Sequence, residues 1–286
     1  MSAGRLGVRK TYKLYIGGEF PRSESGRSYP AVGRDGQVLA RPVRGSRKDL
    51  RDAVRAARTA WKGWAGTTAY NRGQVLYRVA ELMEGRRDQF SEELAAFGAE
   101  DPKREVSASI DRWVWYAGWS DKIHHVMGTV NPVAGPYFNF TIPEPTGVVG
   151  IVAPEEPALL GLVSRLAPAV IGGNTAVVLA SESKPLPAVT LCEVLSTSDV
   201  PGGVVNLLTG LKGELVPWLA SHMDVNAIDL TGVPDGLLPE VEAAAAGNVK
   251  RTVRDGSGDF FQDSAQSPYA ITKLMEMKTV WHPMGA

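Results

Sequence analysis

The chain has little cysteine, no excess charge of either sign and no long apolar run. Its 286 residues contain one cysteine, Cys192, which excludes an internal disulfide. The 31 Lys and Arg residues balance 31 Asp and Glu residues, so the net charge gives no reason to expect a nucleic-acid partner. The apolar stretches are shorter than the ~20 residues that cross a bilayer, and the basic N-terminus has no apolar run like that of a secretory signal. We therefore expect a cytoplasmic protein without a membrane span.

Histidine is also scarce, and its spacing does not suggest a metal site. His124 and His125 are adjacent, whereas His222 and His282 stand far from them and from each other in the chain. Structural and catalytic metal sites draw on His, Cys and carboxylate groups at short, recurring spacings. The sequence therefore predicts no metal.

The N-terminal part of the chain has the pattern of a turn followed by helices. Residues 13–20 (KLYIGGEF) have apolar positions on both sides of two glycines, which predicts a short hairpin. From Asp49 onward apolar residues recur every three or four positions, which is typical of helices with one buried face. Three helices are predicted, and the second runs from about residue 75 to residue 97.

A stretch rich in proline and aromatic residues follows. Residues 131–145 (NPVAGPYFNFTIPEP) favour extended edge strands over a helix, and residues 271–281 (ITKLMEMKTVW) alternate as a strand does. We interpret 131–146 as a protruding oligomerisation arm and 271–286 as its C-terminal strand. The candidate interface residues are Tyr137, Phe138, Phe140, Ile142, Met277, Thr279 and Trp281.

Between these segments, residues 147–255 alternate short apolar runs with helix-length segments. The strand candidates are 147–153, 175–179, 204–208, 225–230 and 249–253. Nearly continuous apolar strands separated by helices are typical of a parallel sheet that is covered on both faces. The sequence predicts an α/β fold with a Rossmann-like, doubly wound parallel sheet of about five strands, N-terminal helices and a protruding β oligomerisation arm.

Several strings together resemble the aldehyde dehydrogenase superfamily. They are KLYIGGEF at 13–20, GVVGIVAP at 147–154, LAPAVIGGNTAVVL at 166–179, PGGVVNLLTG at 201–210, LTG at 230–232 and MEMKTVWHP at 275–283. The resemblance implies that residues 1–130 pack on the cofactor-type domain. It also implies that 256–270 form a short linker where the family carries a catalytic domain with a nucleophilic cysteine. In this respect the chain is similar to the second, cysteine-less module of tandem aldehyde dehydrogenases.

The family's catalytic groups can be compared with this sequence one at a time. The oxyanion-stabilising asparagine of the family aligns with Glu156, and its general-base glutamate aligns with Asp255. Cys192 lies in an apolar helical context, which favours a buried structural thiol over a nucleophile. We assign no catalytic residue. Glu155 and Glu156 are interpreted as parts of a solvated loop.

The family's cofactor positions are also altered. Ala180 stands where the family has a ribose-binding lysine, and Ser183, or Glu182 after a shift of one residue, stands where it often has a glutamate. Lys184 is a partial substitute for the missing cation. The resemblance leaves a degraded set of candidate cofactor-binding residues: Pro154, Ser181, Glu182, Ser183, Gly210, Gly213, Gly232 and Val233. NAD or NADP is a candidate cofactor, tight binding is not expected, and the absence of a cofactor is the favoured interpretation.

These observations support three hypotheses of function. The favoured one is a non-catalytic structural or regulatory subunit that associates with a full-length aldehyde dehydrogenase homologue, with a homo-oligomer as the other form of association. Exposed strands need a covering partner, and the arm and terminal strand supply such strands. The alternatives are NAD(P)-dependent aldehyde oxidoreductase activity, alone or in a composite active site, and a dinucleotide-binding sensor.

Overall fold

The computed structural model describes residues 10–254 and 258–285. The N-terminal part contains a small hairpin and five helices. Its elements are β1 (Ala31–Val32), β2 (Val38–Ala40), α1 (Arg47–Gly66), α2 (Ala69–Glu84), α3 (Arg87–Ala96), α4 (Pro102–Ala117) and α5 (Ile123–Met127). Two strands follow, β3 (Thr129–Asn131) and β4 (Tyr137–Pro145).

Strands and helices then alternate. In order they are β5 (Val148–Val152), α6 (Ala158–Ile171), β6 (Thr175–Leu179), α7 (Leu186–Leu195), β7 (Val205–Leu208), α8 (Lys212–Ser221), β8 (Ala227–Asp229), α9 (Leu238–Ala246) and β9 (Arg251–Val253). The chain ends with α10 (Pro268–Thr272) and β10 (Met275–Pro283), and single 3₁₀ turns span Asp235–Leu237 and Asp263–Ala265.

The five central strands form one parallel sheet in the order β7-β6-β5-β8-β9. If these strands are counted from the first in the chain, the order is 3-2-1-4-5, which is that of a doubly wound Rossmann sheet. The predicted fold class is confirmed. Strands β6 and β8 lie on opposite sides of β5, so the strand order reverses between β5 and β8. In open α/β sheets, ligands bind beside the carboxyl ends of the strands at this reversal.

The core lies on both faces of the sheet. Along β5, Val149 and Ile151 belong to the cluster that contains α6 and α7, whereas Val148 and Val152 belong to the cluster that contains α1 and α8. This alternation explains why the strand is apolar at both odd and even positions. The N-terminal helices belong to the same unit, since the Trp64 Nε1 donates to the Val170 carbonyl at 2.8 Å.

Two details of the helices differ from the pattern-based prediction. Helix α1 begins with a capping box between Ser46 and Asp49, three residues before the apolar stripe starts. The single helix predicted between residues 75 and 97 is wrong, because α2 ends at Glu84 and α3 begins at Arg87. Gly85 is the C-cap of α2, and its lack of a side chain weakens helical continuation at that point. The apolar spacing continues across the break and conceals it.

The predicted N-terminal hairpin is a tight turn. Ile16 and Glu19 pair across Gly17 and Gly18, both of which have positive φ angles. Tyr15 then exchanges two backbone hydrogen bonds with Leu207, at 2.9 and 2.7 Å. The hairpin thereby adds a bridge to the outer edge of β7.

The C-terminal segment begins as a helix. The predicted boundary between a linker (256–270) and a strand (271–286) falls inside α10, and the strand starts at Met275. The Ser267 side chain accepts a hydrogen bond from the Tyr269 amide, and Pro268 occupies the first turn, a combination that favours helix initiation. The alternating apolar pattern of 271–281 outweighed this local signal in the prediction.

The arm forms a separate antiparallel sheet in the order β10-β4-β3. All nine residues of β10 pair with β4, from Met275 opposite Pro145 to Pro283 opposite Tyr137. The predicted arm (131–146) and its C-terminal strand therefore lie side by side. Across the residues that the structure describes, no helix is long and apolar enough to cross a membrane.

Candidate functional site

The carboxyl ends of β5 and β8 meet at the point where the strand order reverses. Ala153 follows β5, and Gly232 lies just beyond β8, where its amide donates to the Val152 carbonyl at 2.9 Å. A Cβ atom on Gly232 would lie 2.1 Å from the Ala153 carbonyl oxygen, so only glycine permits this approach of the two backbones. The two strand ends are thus held against each other.

Lys212, the first residue of α8, spans this junction. Its Nζ donates to the Ala153 carbonyl at 2.7 Å and to the Gly232 carbonyl at 3.0 Å, and it also contacts the Glu155 carboxylate. The Lys212 side chain is only 4% exposed. A buried ammonium requires such partners, because its desolvation is costly.

Glu155 receives donors from the loop after β6. Its Oε2 accepts from the Ser181 hydroxyl at 2.7 Å and from the Ser183 amide and hydroxyl at 3.0 and 2.6 Å. Its Oε1 accepts from the Glu182 amide at 3.0 Å. Burial by itself would raise the pKa of Glu155, but Lys212 and these donors outweigh it and lower the pKa to about 2. Glu155 lies in a loop and its side chain is 42% exposed, but its carboxylate is bound within the chain, which the sequence did not predict.

The adjacent carboxylate behaves differently. Glu156 is 72% exposed and pairs with the Lys184 ammonium. Lys184 was predicted to substitute partly for the family's ribose-binding lysine. Any ligand at Lys184 would therefore compete with the Glu156 carboxylate. Glu156 borders an open groove of about 630 Å³ that also includes Pro154, Val233 and Phe260.

Two helix N-termini beside the cleft are occupied by carboxylates of the chain. The buried Glu105 accepts from the Leu159 and Leu160 amides of α6, at 2.8 and 3.2 Å. The Glu182 carboxylate accepts from the Lys212 amide, at the start of α8, at 2.7 Å. Exposed amides at helix N-termini are the usual donors for a phosphate group.

The remaining candidate cofactor residues surround the same edge of the sheet. Ala180 is buried after β6, and Gly210 follows β7 with φ 153°. Gly213 lies in the first turn of α8 with open space beside it, and Val233 is 7% exposed. Asp255, the position aligned with the family's general base, lies outside the described residues.

This arrangement does not fit an anionic dinucleotide. Glu155 already accepts from the Ser181 and Ser183 hydroxyls and the adjacent amides, and it pairs with the Lys212 ammonium. Two other glutamates accept from the amides at the N-termini of α6 and α8. A pyrophosphate could bind these donors only by displacing a carboxylate, which would break a contact within the chain. The negative charges of the remaining carboxylates would also repel it.

The remaining sequence-based assignments concern a thiol and metals. Cys192 is fully buried in α7, and burial raises the pKa of its thiol well above the ordinary value, with a smaller contribution from Glu193. A thiol in that environment is not a thiolate nucleophile at neutral pH. Within 10–254 and 258–285, no group of His, Cys, Asp and Glu residues could hold a metal ion.

The arm brings the predicted interface residues together on one sheet but divides them between its faces. In the register of β4 and β10, Phe138, Phe140 and Ile142 lie on one face, which we call the Phe face and which also carries Val130 and Val280. Tyr137, Met277, Thr279 and Trp281 lie on the other, which we call the Trp face.

The two faces differ in chemistry. On the Phe face, the rings of Phe138 and Phe140 are 5.4 Å apart, and Val130 is 68% exposed. The Trp face carries a polar ladder in which Asn131 donates to Asn139 and Thr141, while the Thr141 and Thr279 hydroxyls lie 2.9 Å apart. The Phe face also carries the charged residues Glu144, Glu276 and Lys278, whereas the paired positions of β4 and β10 place no charged residue on the Trp face.

Sequence reasoning missed Lys212 and Glu105. Lys212 is at the first position of a helix, where a cation is unfavourable because it faces the positive end of the helix dipole. That anomaly was the available signal. Glu105 is distant in sequence from the α6 amides that it caps, and its position in the first turn of α4, after Lys103 and Arg104, gave no comparable signal.

The strand order and the arm sheet define a Rossmann-like α/β protein with a three-stranded antiparallel extension. A family model described as "Aldehyde dehydrogenase family" matches residues 22–259. The chain belongs to the aldehyde dehydrogenase family. The enzymes of this family are in general NAD(P)-dependent.

Individual relatives agree with this assignment. The chain is 34% identical over 260 residues to cytosolic 10-formyltetrahydrofolate dehydrogenase of Mus musculus, covering 86% of this chain and 28% of the relative. It is 35% identical over 249 residues to aldehyde dehydrogenase family 2 member B4, mitochondrial, of Arabidopsis thaliana, covering 83% of this chain and 45% of the relative. The chain therefore spans less than half the length of these two relatives.

Solved structures give the same result. HpcC from Thermus thermophilus superposes with a TM-score of 0.82 at 30% identity, covering 87% of this chain and 48% of HpcC. The NAD⁺ complex of an aldehyde dehydrogenase from Bacillus cereus superposes with a TM-score of 0.79 at 25% identity, covering 86% of this chain and 50% of that protein.

Proposed function

We propose that this protein is a non-catalytic, aldehyde dehydrogenase-like subunit that associates with a full-length aldehyde dehydrogenase homologue. The observation that carries the proposal is the nine-residue strand β10, which pairs with β4 on one side and has no strand on its other side among the described residues. A long edge strand in a sheet with exposed apolar side chains, such as Val130, Phe138 and Trp281, favours pairing with another chain.

A full-length homologue is the partner that best matches this surface. The resemblance of residues 275–283 to the last strand of the aldehyde dehydrogenases implies that this strand docks beside a neighbouring subunit's catalytic domain. Here only residues 254–274, a stretch that includes α10, lie between β9 and β10 in the sequence, so the chain is proposed to lack a catalytic domain of its own. A second copy of this chain would then present no such domain to the arm.

The altered catalytic positions support the absence of independent activity. A carboxylate, Glu156, replaces the amide donor of the family, and the chain's only cysteine is buried. Loss of one oxyanion donor costs about 3 kcal/mol of transition-state stabilisation, and a negative charge at that position would add repulsion. We expect the isolated chain not to oxidise aldehydes.

The cleft also supports weak or absent dinucleotide binding. The carboxylates of Glu105, Glu155 and Glu182 accept hydrogen bonds from donors that a phosphate would otherwise use. We propose that NAD or NADP is not tightly bound and that the surviving sheet serves as a scaffold for the arm.

The test is co-expression of this chain with a full-length aldehyde dehydrogenase from the same organism, each with a different affinity tag. Pull-down through either tag, followed by light scattering of the purified species, should give a hetero-oligomer of defined mass. The isolated chain should neither reduce NAD(P) with an aldehyde nor give a calorimetric signal with NAD⁺ or NADP⁺.

Three outcomes would count against the proposal. A lone monomer in the presence of the homologue would remove the association role, and a homo-oligomer that ignores the homologue would assign the arm to self-association. NAD(P) reduction by the homogeneous isolated chain would restore the oxidoreductase alternative. An unrelated soluble protein carrying the same tag is the matched control for the pull-down.

A further inference from the structure

Five donors converge on the single carboxylate of Glu155. They are the hydroxyls of Ser181 and Ser183, the amides of Glu182 and Ser183, and the ammonium of Lys212. Consecutive backbone amides, hydroxyls and a lysine are the groups with which proteins bind phosphoryl oxygens. A carboxylate shares the negative charge and the acceptor oxygens of such a group.

Two of these donors, Ser181 and Lys212, have further partners besides Glu155. The Ser181 hydroxyl also accepts from the Lys184 amide at 3.0 Å, which fixes the turn after β6. Lys212 is held by the Ala153 and Gly232 carbonyls at the junction of β5 and β8. We expect these contacts to persist in Glu155→Ala, so that the buried Lys212 ammonium loses the carboxylate with which it pairs.

Glu155 itself reaches the donors from the solvent side. Its side chain is 42% exposed, whereas that of Lys212 is 4% exposed. The carboxylate thus lies at the mouth of the donor set and the ammonium at its base. An external anion could occupy the same position only if this side chain were removed.

We infer that Ser181, Ser183 and Lys212 form a phosphoryl-binding cradle that Glu155 occupies as an internal ligand. The ligand class is a free phosphate or a terminal phosphoryl group. In the natural protein the cradle is closed, because the internal carboxylate is ionised and competes at an effectively fixed, high local concentration. The pKa of Glu155, about 2, keeps it ionised at neutral pH. This inference does not depend on the proposed association with a homologue.

The experiment compares the natural chain with Glu155→Ala and with Glu156→Ala as the matched control. Glu156 is the adjacent carboxylate and pairs with Lys184 outside the cradle. Inorganic phosphate is titrated by calorimetry, and thermal unfolding is measured in phosphate and in chloride at equal ionic strength. Glu155→Ala should bind phosphate at least about tenfold more tightly than the other two proteins. Its midpoint of unfolding should rise in phosphate and not in chloride.

A second substitution tests the donors. Adding Lys212→Met to Glu155→Ala should abolish the gained phosphate binding, because the cradle loses its cation. The inference is overturned if folded Glu155→Ala binds phosphate no better than the natural chain, or if the double variant binds as well as Glu155→Ala. If Glu155→Ala does not fold in chloride, it should refold in phosphate, and equal failure in both salts also overturns the inference.

Discussion

Asn174 donates a hydrogen bond from its side-chain amide to the Leu274 carbonyl at 2.9 Å, which fastens the start of β10 to the central sheet. The same side chain donates to the Ala169 carbonyl at 3.1 Å and accepts from the Gly147 amide at 2.9 Å. Asn174 is fully buried before β6. One side chain therefore joins α6, the base of β5 and the root of the arm.

Replacement of Asn174 by alanine should loosen the arm before it unfolds the sheet. The buried Gly147 amide would lose its acceptor, while the Ala169 and Leu274 carbonyls would each keep one backbone donor, so the expected cost is about 2 kcal/mol. Hydrogen exchange should accelerate first at residues 275–283, and chemical denaturation should give the loss of stability. Thr279→Ala, which removes a contact within the exposed part of the arm, should leave exchange at residue 274 unchanged. Equal exchange of the arm in both variants would contradict this role of Asn174.

Glu105 provides a second test at the N-terminus of α6. Glu105→Ala should reduce the free energy of unfolding by about 2 kcal/mol, because the Leu159 and Leu160 amides would be buried without an acceptor. Burial raises the pKa of Glu105, so its ionised form is costly at neutral pH. Glu105→Gln retains an acceptor without a charge and should remain within about 1 kcal/mol of the natural protein. Equal losses in the two variants, measured by urea denaturation, would refute the capping role.

The central sheet was predictable from sequence because its physical signal is local. Residues such as Val148, Ile151 and Val177 fall in short apolar runs that are bounded by glycine or proline, and a buried parallel strand requires such runs. The helix break at Gly85 was not predictable from periodicity, because apolar residues keep the same spacing on both sides of it. The start of β10 was misjudged because the strand prediction extended the alternation of residues 275–278 back to Ile271, although Lys273 and Leu274 interrupt it.

The candidate site was less predictable because it depends on tertiary contacts. The sequence identified Glu155, Ser181 and Ser183 as neighbours of the cleft, but not that the serines donate to Glu155. Lys212 lies far along the chain from Glu155. The two charges meet because β5 and β7, the strands that precede them, are parallel strands of the same sheet. Likewise, the sequence identified the candidate interface residues only as one group. Their division between two faces of the arm became evident from the register of β4 with β10.

The ion pair of Lys212 and Glu155 should determine part of the acid stability. The pKa of Glu155 in the folded chain is about 2, below its ordinary value of 4.5, so its stabilising contribution is fully present above pH 4.5. That contribution is lost as the pH falls from there through about 2. In Lys212→Met the carboxyl should titrate closer to its ordinary value, and the free energy of unfolding should fall less steeply over this range. Denaturation curves at several pH values measure the slope.

Lys184→Met is the control for this pH dependence, because it removes the neighbouring ion pair with Glu156 and leaves the Glu155 contacts in place. Its slope should match that of the natural chain. Lys212→Met should also be less stable at neutral pH, since the Ala153 and Gly232 carbonyls lose a buried donor. An unchanged slope in Lys212→Met would mean that the serines, not the lysine, hold the carboxylate ionised.

A charge introduced on one face of the arm at a time should show which of the two faces contacts the homologue. Phe138→Lys introduces a cation beside Phe140 on the Phe face, whereas Thr279→Lys introduces one on the Trp face of the same sheet. Both positions are exposed, so both variants should keep the stability of the natural chain within about 0.5 kcal/mol. If the homologue covers the Phe face, Phe138→Lys should weaken the complex by about tenfold or more, because a desolvated charge would face apolar surface. Thr279→Lys should change the affinity little, and the opposite ranking in surface plasmon resonance would assign docking to the Trp face.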